Sequence, residues 1–327
     1  MVTLLYPPEG FLFDPHTPVQ EEFIRRIQET GISAALDWLR TVKNGTEHTY
    51  PQPLRLLWES DDSHSRLELA EKPDFSDAVL RITGDPFWAA ENLKTGTTYY
   101  WRVNGCAARS FRTAPVHPRF IRVDGALNVR DIGGIGIRQG LVYRGSAIDA
   151  PFGITDAGRQ AFRDLGIKTE LELRMDGDPG PSLVPGVEKI TIPYRPYQEA
   201  FEPQHREHLR QIVTLLAEED RYPVYIHCMG GADRTGMIAF YLRALLGETD
   251  EQIHLDYEVT ALSTYAAGAR EGADGFRSRN APYYRAFLDT LQSYAPGQPL
   301  HICVPLFLLS CGVTREQMEK IRHLLQP

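Results

Sequence analysis

Apolar positions along this chain follow two different rhythms. In the first part they alternate with polar ones over short runs, PLRLLWES, SRLELAE, TTYYWRV and RSFRTAP, with turn-forming residues between them. A period of two places every second side chain on the same face of a strand, so each run predicts a half-buried strand. Trp101 and Val103, alternating with Tyr100 and Arg102, show the pattern most clearly. Short strands at this spacing predict an all-β sandwich. One segment breaks the rhythm. In residues 18–43, PVQEEFIRRIQETGISAALDWLRTVK, Phe23, Ile24 and Ile27 share one helical face, and Ala35, Leu36 and Leu39 share another in a second piece. That spacing predicts a helical insertion after the first strand.

Pro115 and Pro118 bracket Val116 and His117 and mark a junction, dividing the chain into 1–117 and 118–327. Beyond it, apolar strands alternate with helices, which predicts an α/β domain with a mainly parallel sheet flanked by helices. Thr155 is placed to cap a helix ending near Leu165 and Gly166, and KTELELR follows as a strand. Residues 207–219 read as a helix with Leu209, Ile212, Val213 and Leu216 inward. PVYIHC is a short strand opened by Pro223, where a missing amide donor is tolerated. MIAFYLRALLG is an apolar helix stopped by Gly247. Thr249 with Gln252, and Thr314 with Gln317, form capping-box pairs that start two later helices.

Length and charge narrow the function classes. The chain has 327 residues, enough for two separate cores, and its 42% hydrophobic and 24% charged content is that of a globular protein. A net charge of −8 argues against broad nucleic-acid binding and against adhesion to anionic membranes. The amino terminus has no basic segment leading into an apolar run, and no stretch approaches the ~20 apolar residues of a membrane span. The expected location is therefore the cytoplasm, without stable membrane insertion. Four cysteines at irregular spacing form neither a disulfide framework nor a zinc signature.

The candidate chemistry lies at residues 227–236, HCMGGADRTG, between the strand PVYIHC and the apolar helix. Open α/β sheets bind ligands at the carboxyl ends of their strands. A helix beginning near Arg234 aims free N–H groups and the positive end of its dipole at the loop. Gly230 and Gly231 let successive N–H groups point inward, which makes an anion cradle from Met229, Gly230, Gly231, Ala232 and Gly236. Cys228 sits inside that field. A thiol at a helix N-terminus beside a fixed cation has its pKa lowered to ~3.5–7.5 and becomes a nucleophilic thiolate. Arg234 supplies the cation, and its planar fork matches two phosphoryl oxygens. Thr235 is placed to donate to the sulfur when it departs. His227 neighbours Cys228 on a strand end, so the two project to opposite faces; His227 is expected to support the loop backbone and not to act as a base.

HCMGGADRTG matches the Cys-x5-Arg signature of the cysteine-dependent tyrosine-phosphatase superfamily. NVRDIGG at 128–134, GLVYRGS at 140–146, LGIKTELELR at 165–174 and LLGETDEQIHLDYEVT at 245–260 resemble the bacterial tyrosine-phosphatase-like family. Its members often carry an HCxxGKDRTG loop. The resemblance implies phosphomonoester hydrolysis through a phosphocysteine intermediate, with no metal or cofactor, and makes Asp233 the general acid. It also places Arg130 and Asp131 in the substrate pocket, mainly as scaffolding. Where the family often has lysine before that aspartate, this chain has Ala232, which favours a phosphotyrosine protein or peptide over a polyphosphorylated inositide. In the first part, NLKTGTTYYWRV resembles the tyrosine-corner segment of fibronectin type III and immunoglobulin-like domains, on Leu93, Gly96, Thr97 and Tyr99.

Other readings of the same sequence remain in play. The loop also fits a phosphoinositide phosphatase, a dual-specificity enzyme, or a pseudophosphatase that binds phosphorylated partners without turnover. Asp176 and Asp178 are rival acids. DIGGIGIRQG is read as a hairpin turn, since no helix follows it. His205 and His208 in HREH lack a third ligand and read as a solvated helix face. Arg270, Arg277 and Arg279 flank a glycine-rich stretch; such a run is more often a solvated loop than a device that steers phosphorylated substrates. Every catalytic motif follows Pro118, so the fragment 118–327 is expected to retain at least part of the activity on a small aryl phosphate.

Overall fold

The structure is a computed structural model that describes residues 2–42, 45–177, 180–265 and 278–327. Asp178, Arg270 and Arg277 lie outside the described residues. Two compact units divide the chain: Met1–Thr17 with Pro51–Arg119, and Pro18–Tyr50 with Phe120–Pro327.

The first unit contains β1 (Val2–Tyr6), β2 (Phe11–Phe13), β3 (Leu54–Ser60), β4 (Ser65–Ala70), β5 (Val79–Thr83), β6 (Phe87–Ala90), β7 (Thr98–Val103) and β8 (Arg109–Thr113). They form a three-stranded sheet in the order β1-β3-β6 and a five-stranded sheet in the order β2-β8-β7-β4-β5. One core cluster joins Leu4, Leu56 and Trp58 of the first sheet to Leu67, Trp101 and Phe111 of the second. Along β7 the alternation expected from sequence is observed, with Tyr99, Trp101 and Val103 buried. The Tyr99 hydroxyl accepts the Lys94 N–H at 2.8 Å, tying the start of the strand to the turn before it. β5 escaped the sequence reading because its pattern does not alternate: Val79, Leu80 and Ile82 are all exposed.

Helices form over the inserted segment, as α1 (Pro18–Thr30) and α2 (Ile32–Val42), separated by Gly31 at φ 84°. Their placement corrects the expected boundary between 1–117 and 118–327. They belong to the second unit. Phe23, Ile24, Ile27, Ala35, Leu36 and Leu39 share a core with Phe120, Leu255, Val259, Ala261 and Leu262. An amphipathic stripe specifies that a partner surface exists, not which one, and chain adjacency pointed to the wrong unit.

The second unit continues with β9 (Arg119–Phe120), β10 (Arg130–Asp131), β11 (Val142–Gly145), α3 (Asp156–Asp164), β12 (Thr169–Glu172), β13 (Glu188–Thr191), α4 (Pro203–Leu216), β14 (Val224–His227), α5 (Arg234–Leu245), α6 (Asp250–Glu258), α7 (Pro282–Gln292), α8 (Leu300–Ser310) and α9 (Arg315–Leu325). Its sheet runs β13-β12-β14-β11-β10-β9. β14 pairs in parallel with both β11 and β12, and β12 with β13. Val224 and Ile226 enter the large cluster with α4, α5, α8 and α9, whereas Tyr225 packs with Phe162 and Ile154 in another. A strand covered on both faces reads as an uninterrupted apolar run, which is why PVYIHC was legible. Thr155 caps α3, and both capping boxes are present. α4 starts four residues earlier than expected, with Pro203 in its first turn, where a missing N–H costs nothing. β10 and β11 are antiparallel, and DIGGIGIRQG turns between them as a hairpin.

Candidate active site

Residues 228–233 connect the end of β14 to the start of α5. The loop's conformation follows from where its carbonyls are held. Cys228 O lies 3.4 Å from His227 Nδ1, and Met229 O accepts the Ala147 N–H at 3.0 Å. Asn128 Nδ2 donates to Gly230 O at 3.0 Å and Gly231 O at 3.2 Å, and Arg144 Nη2 donates to Gly231 O at 2.7 Å. In a planar trans peptide the N–H opposes the carbonyl of the same unit. Four carbonyls held in this way leave each N–H of residues 229–232 on the side away from its own peptide's carbonyl partner.

Each glycine has its own reason. Gly231 takes φ 64°, and a Cβ there would lie 2.3 Å from the Gly145 carbonyl. A Cβ on Gly230 would sit 1.9 Å from ring carbons of Tyr265. Gly236 lies in the first turn of α5, where a Cβ would be 3.2 Å from the Tyr257 ring.

Cys228 is a free, buried cysteine at the base of the loop, and Ala232 is buried with it. Asp233 and Arg234 are half-buried and line one pocket with Arg195, Pro196, Tyr197, Glu199 and Tyr283. Two polar atoms here are buried without a hydrogen-bond partner among the described residues, Arg234 Nη1 and Thr235 Oγ1. A buried guanidinium nitrogen that no protein group satisfies is what a site built for an anion presents.

The remaining sequence candidates separate into supports and bystanders. His227 is fully buried, and its Nε2 donates to Glu170 at 2.9 Å. Burial pushes the Glu170 carboxyl up, but hydrogen bonds from His227 and Ser182 together with nearby positive charge hold it below its ordinary value. Arg130 and Asp131 are fully buried. Asp131 accepts the N–H groups of Gly133 and Gly140, shaping the hairpin. Arg130 bonds Asp256 at 3.3 Å and is pushed down to about 9 by burial, with the like charge of Arg144 second. These partners are buried or half-buried protein groups. Asp176 is exposed and does not line the pocket. Arg279 is engaged by Glu258 and Glu251. The solvated-face reading of HREH fails at His205, which is buried beside Tyr194 and whose burial lowers its pKa.

Several residues of the site were not singled out from sequence. Arg144 donates to Asp256, so one buried carboxylate serves both Arg130 and Arg144. The available signal was an arginine inside the four-residue buried strand β11, since a buried charge must find a partner. Tyr197 donates to Asp233 Oδ1 at 2.6 Å, bonds Tyr257, and lies 4.6 Å from the Tyr283 ring. Its φ of 60° is unusual for an aromatic residue and has no signature in YRPYQEA.

Residues 121–326 match the family model described as the tyrosine phosphatase family. No curated protein sequence matches the chain. Among solved structures, TpbA of P. aeruginosa is 17% identical, with 57% of this chain and 91% of that chain covered at a TM-score of 0.35. A cysteine-to-serine form of TpbA in complex with pTyr gives 17%, 54%, 91% and 0.34. The core catalytic domain of the PP-IP phosphatase SIW14 from S. cerevisiae, in complex with citrate, gives 16%, 48%, 91% and 0.32.

Proposed function

This chain belongs to the tyrosine phosphatase family, and from that premise we propose that it hydrolyses phosphomonoesters, with phosphotyrosine in a protein or peptide as substrate. The observation that carries the reading is the loop after β14: the carbonyls of residues 228–231 are each held by a neighbouring group, and Arg234 Nη1, six residues after Cys228, is buried without a partner among the described residues. The Cys228 thiolate attacks phosphorus, forming an S–P bond as the ester P–O bond breaks. Asp233 gives its proton to the departing oxygen. Water then attacks the phosphocysteine, passes a proton to Asp233, and the P–S bond breaks to return the thiolate and inorganic phosphate. Arg234 and the N–H groups of residues 229–232 bear the charge that develops on the equatorial oxygens. Thr235 Oγ1 donates to the leaving sulfur.

Tyrosine is favoured over an inositide by the aromatic wall of Tyr197 and Tyr283 beside Arg234, and by Ala232 in place of a lysine. A panel of phosphotyrosine peptides, phosphoserine peptides and phosphoinositides, read as phosphate released, tests the substrate. Turnover of inositides alone would replace this reading, and phosphate binding without turnover would make the chain a pseudophosphatase. We assign the first unit to the fibronectin type III or immunoglobulin-like class on its shared two-sheet core and the Tyr99 contact.

Asp233 has its own test. A poor leaving group needs a proton as its bond breaks, whereas an activated nitrophenolate needs little help. Asp233→Asn should slow phenyl phosphate turnover by ~10²–10⁴-fold, with a smaller effect on the nitrophenyl ester, in pre-steady-state measurement. Equal slowing of both would make Asp233 a structural brace.

A further inference from the structure

The segment 45–50 precedes the family-matched residues, yet it reaches the loop by two routes. Glu47 Oε2 accepts the Thr264 N–H at 2.7 Å, the Thr264 hydroxyl at 2.7 Å and the Ser263 hydroxyl at 3.2 Å. Its other oxygen accepts the Thr49 hydroxyl and, at 3.3 Å, the Thr49 N–H. The His48 N–H adds a bond to Leu262 O at 3.1 Å. The next residue after this clamp is Tyr265, whose ring rests on Gly230 and meets Phe152 edge-on at 5.7 Å. By the second route, Thr49 Oγ1 accepts the Asn128 N–H at 3.1 Å, and Asn128 holds the carbonyls of Gly230 and Gly231.

We infer that Glu47 is a positioning residue of the catalytic loop, acting through Tyr265. A carboxylate with donors on both oxygens fixes the backbone at 263–264 and so sets where the Tyr265 ring lies. That ring closes the side of Gly230 that would otherwise be free to move, and the loop keeps its conformation. The inserted helical pair and the turn that follows it are thus a working part of the site. The inference rests on the phosphate-hydrolysing reading of the loop.

The test is a double-mutant cycle in the full chain with Glu47→Ala, Tyr265→Ala and the pair. Affinity for inorganic phosphate, kcat/KM on an aryl phosphate, and Tm are measured for each. Loss of hydrogen bonds to a charged group predicts about a 10-fold loss of phosphate affinity and of kcat/KM in each single variant. The double variant should be no worse than the weaker single one. Glu47→Gln should recover most of the loss, because its amide oxygen still accepts from Thr264. Tyr265→Leu replaces the alanine form if that one unfolds. Multiplying losses, or Glu47→Ala that lowers Tm and leaves phosphate affinity intact, would overturn the inference. Phosphate binding without turnover in the unaltered chain would sink the hydrolytic reading and leave the cycle to be decided on binding. No phosphate binding at all would overturn both.

Discussion

Arg234→Lys should behave almost as a null variant, losing ~10³-fold or more in kcat on an aryl phosphate. The substitution keeps the charge but replaces a rigid two-pronged donor with a single flexible ammonium. Arg234 Nη1 is buried without a partner among the described residues, so on the proposed reading this nitrogen is open to a phosphoryl oxygen. A lysine Nζ has no second prong to follow two phosphoryl oxygens as they flatten in the transition state. Cys228→Ser should abolish turnover altogether while inorganic phosphate or vanadate still binds, because the cradle is backbone and does not depend on the sulfur. Steady-state kinetics and calorimetry on the two variants decide the matter. Near-normal kcat in Arg234→Lys would mean that the amides of residues 229–232 carry the oxygens by themselves.

The second large effect concerns where the catalytic unit ends. The fragment 118–327 contains every catalytic motif, and from sequence it is expected to work. The packing of α1 and α2 argues for a different outcome. Removing residues 18–50 uncovers Phe120, Leu255, Val259 and Leu262, all of them buried against α1 and α2. At about 1.5–3 kcal/mol for each large apolar side chain, the loss is comparable with the ~5–15 kcal/mol by which a domain is stable. The same deletion takes away Glu47 and Thr49. We expect 118–327 to be insoluble or inactive. A chain carrying 18–50 joined to 120–327 through a short flexible linker in place of 51–119 should fold and release phosphate. The two pieces already meet: the Tyr50 ring lies 5.3 Å from the Arg122 guanidinium, and its hydroxyl is 3.3 Å from Ala126 O. Circular dichroism and phosphate release on the two fragments give the answer, and full activity in 118–327 would refute the expectation.

The parts of this protein legible in its sequence are those whose determinants lie close together along the chain. Cys228, the paired glycines, Asp233 and Arg234 fall within seven consecutive residues, and the strand before them and helix after them carry their own apolar periodicity and stop signals. Thr249 with Gln252 and Thr314 with Gln317 cap their helices from three residues away. Such terms are local, so the order of residues states them completely.

What holds the loop in its working shape is not local. Asn128 reaches Gly230 across 102 residues, Arg130 reaches Asp256 across 126, and Glu47 reaches Thr264 across 217. Tyr197 meets Asp233 from a segment with no periodicity to mark it. A buried arginine or an amphipathic helix declares a need for a partner, because an unpaired charge or an exposed apolar face is costly, but many partners would satisfy it. Sequence alone therefore determined which residues make the loop and the α/β grammar around it. The tertiary structure alone decided which unit took α1 and α2, and which distant side chains hold the loop's carbonyls, since only close packing selects one partner from the many that sequence allows.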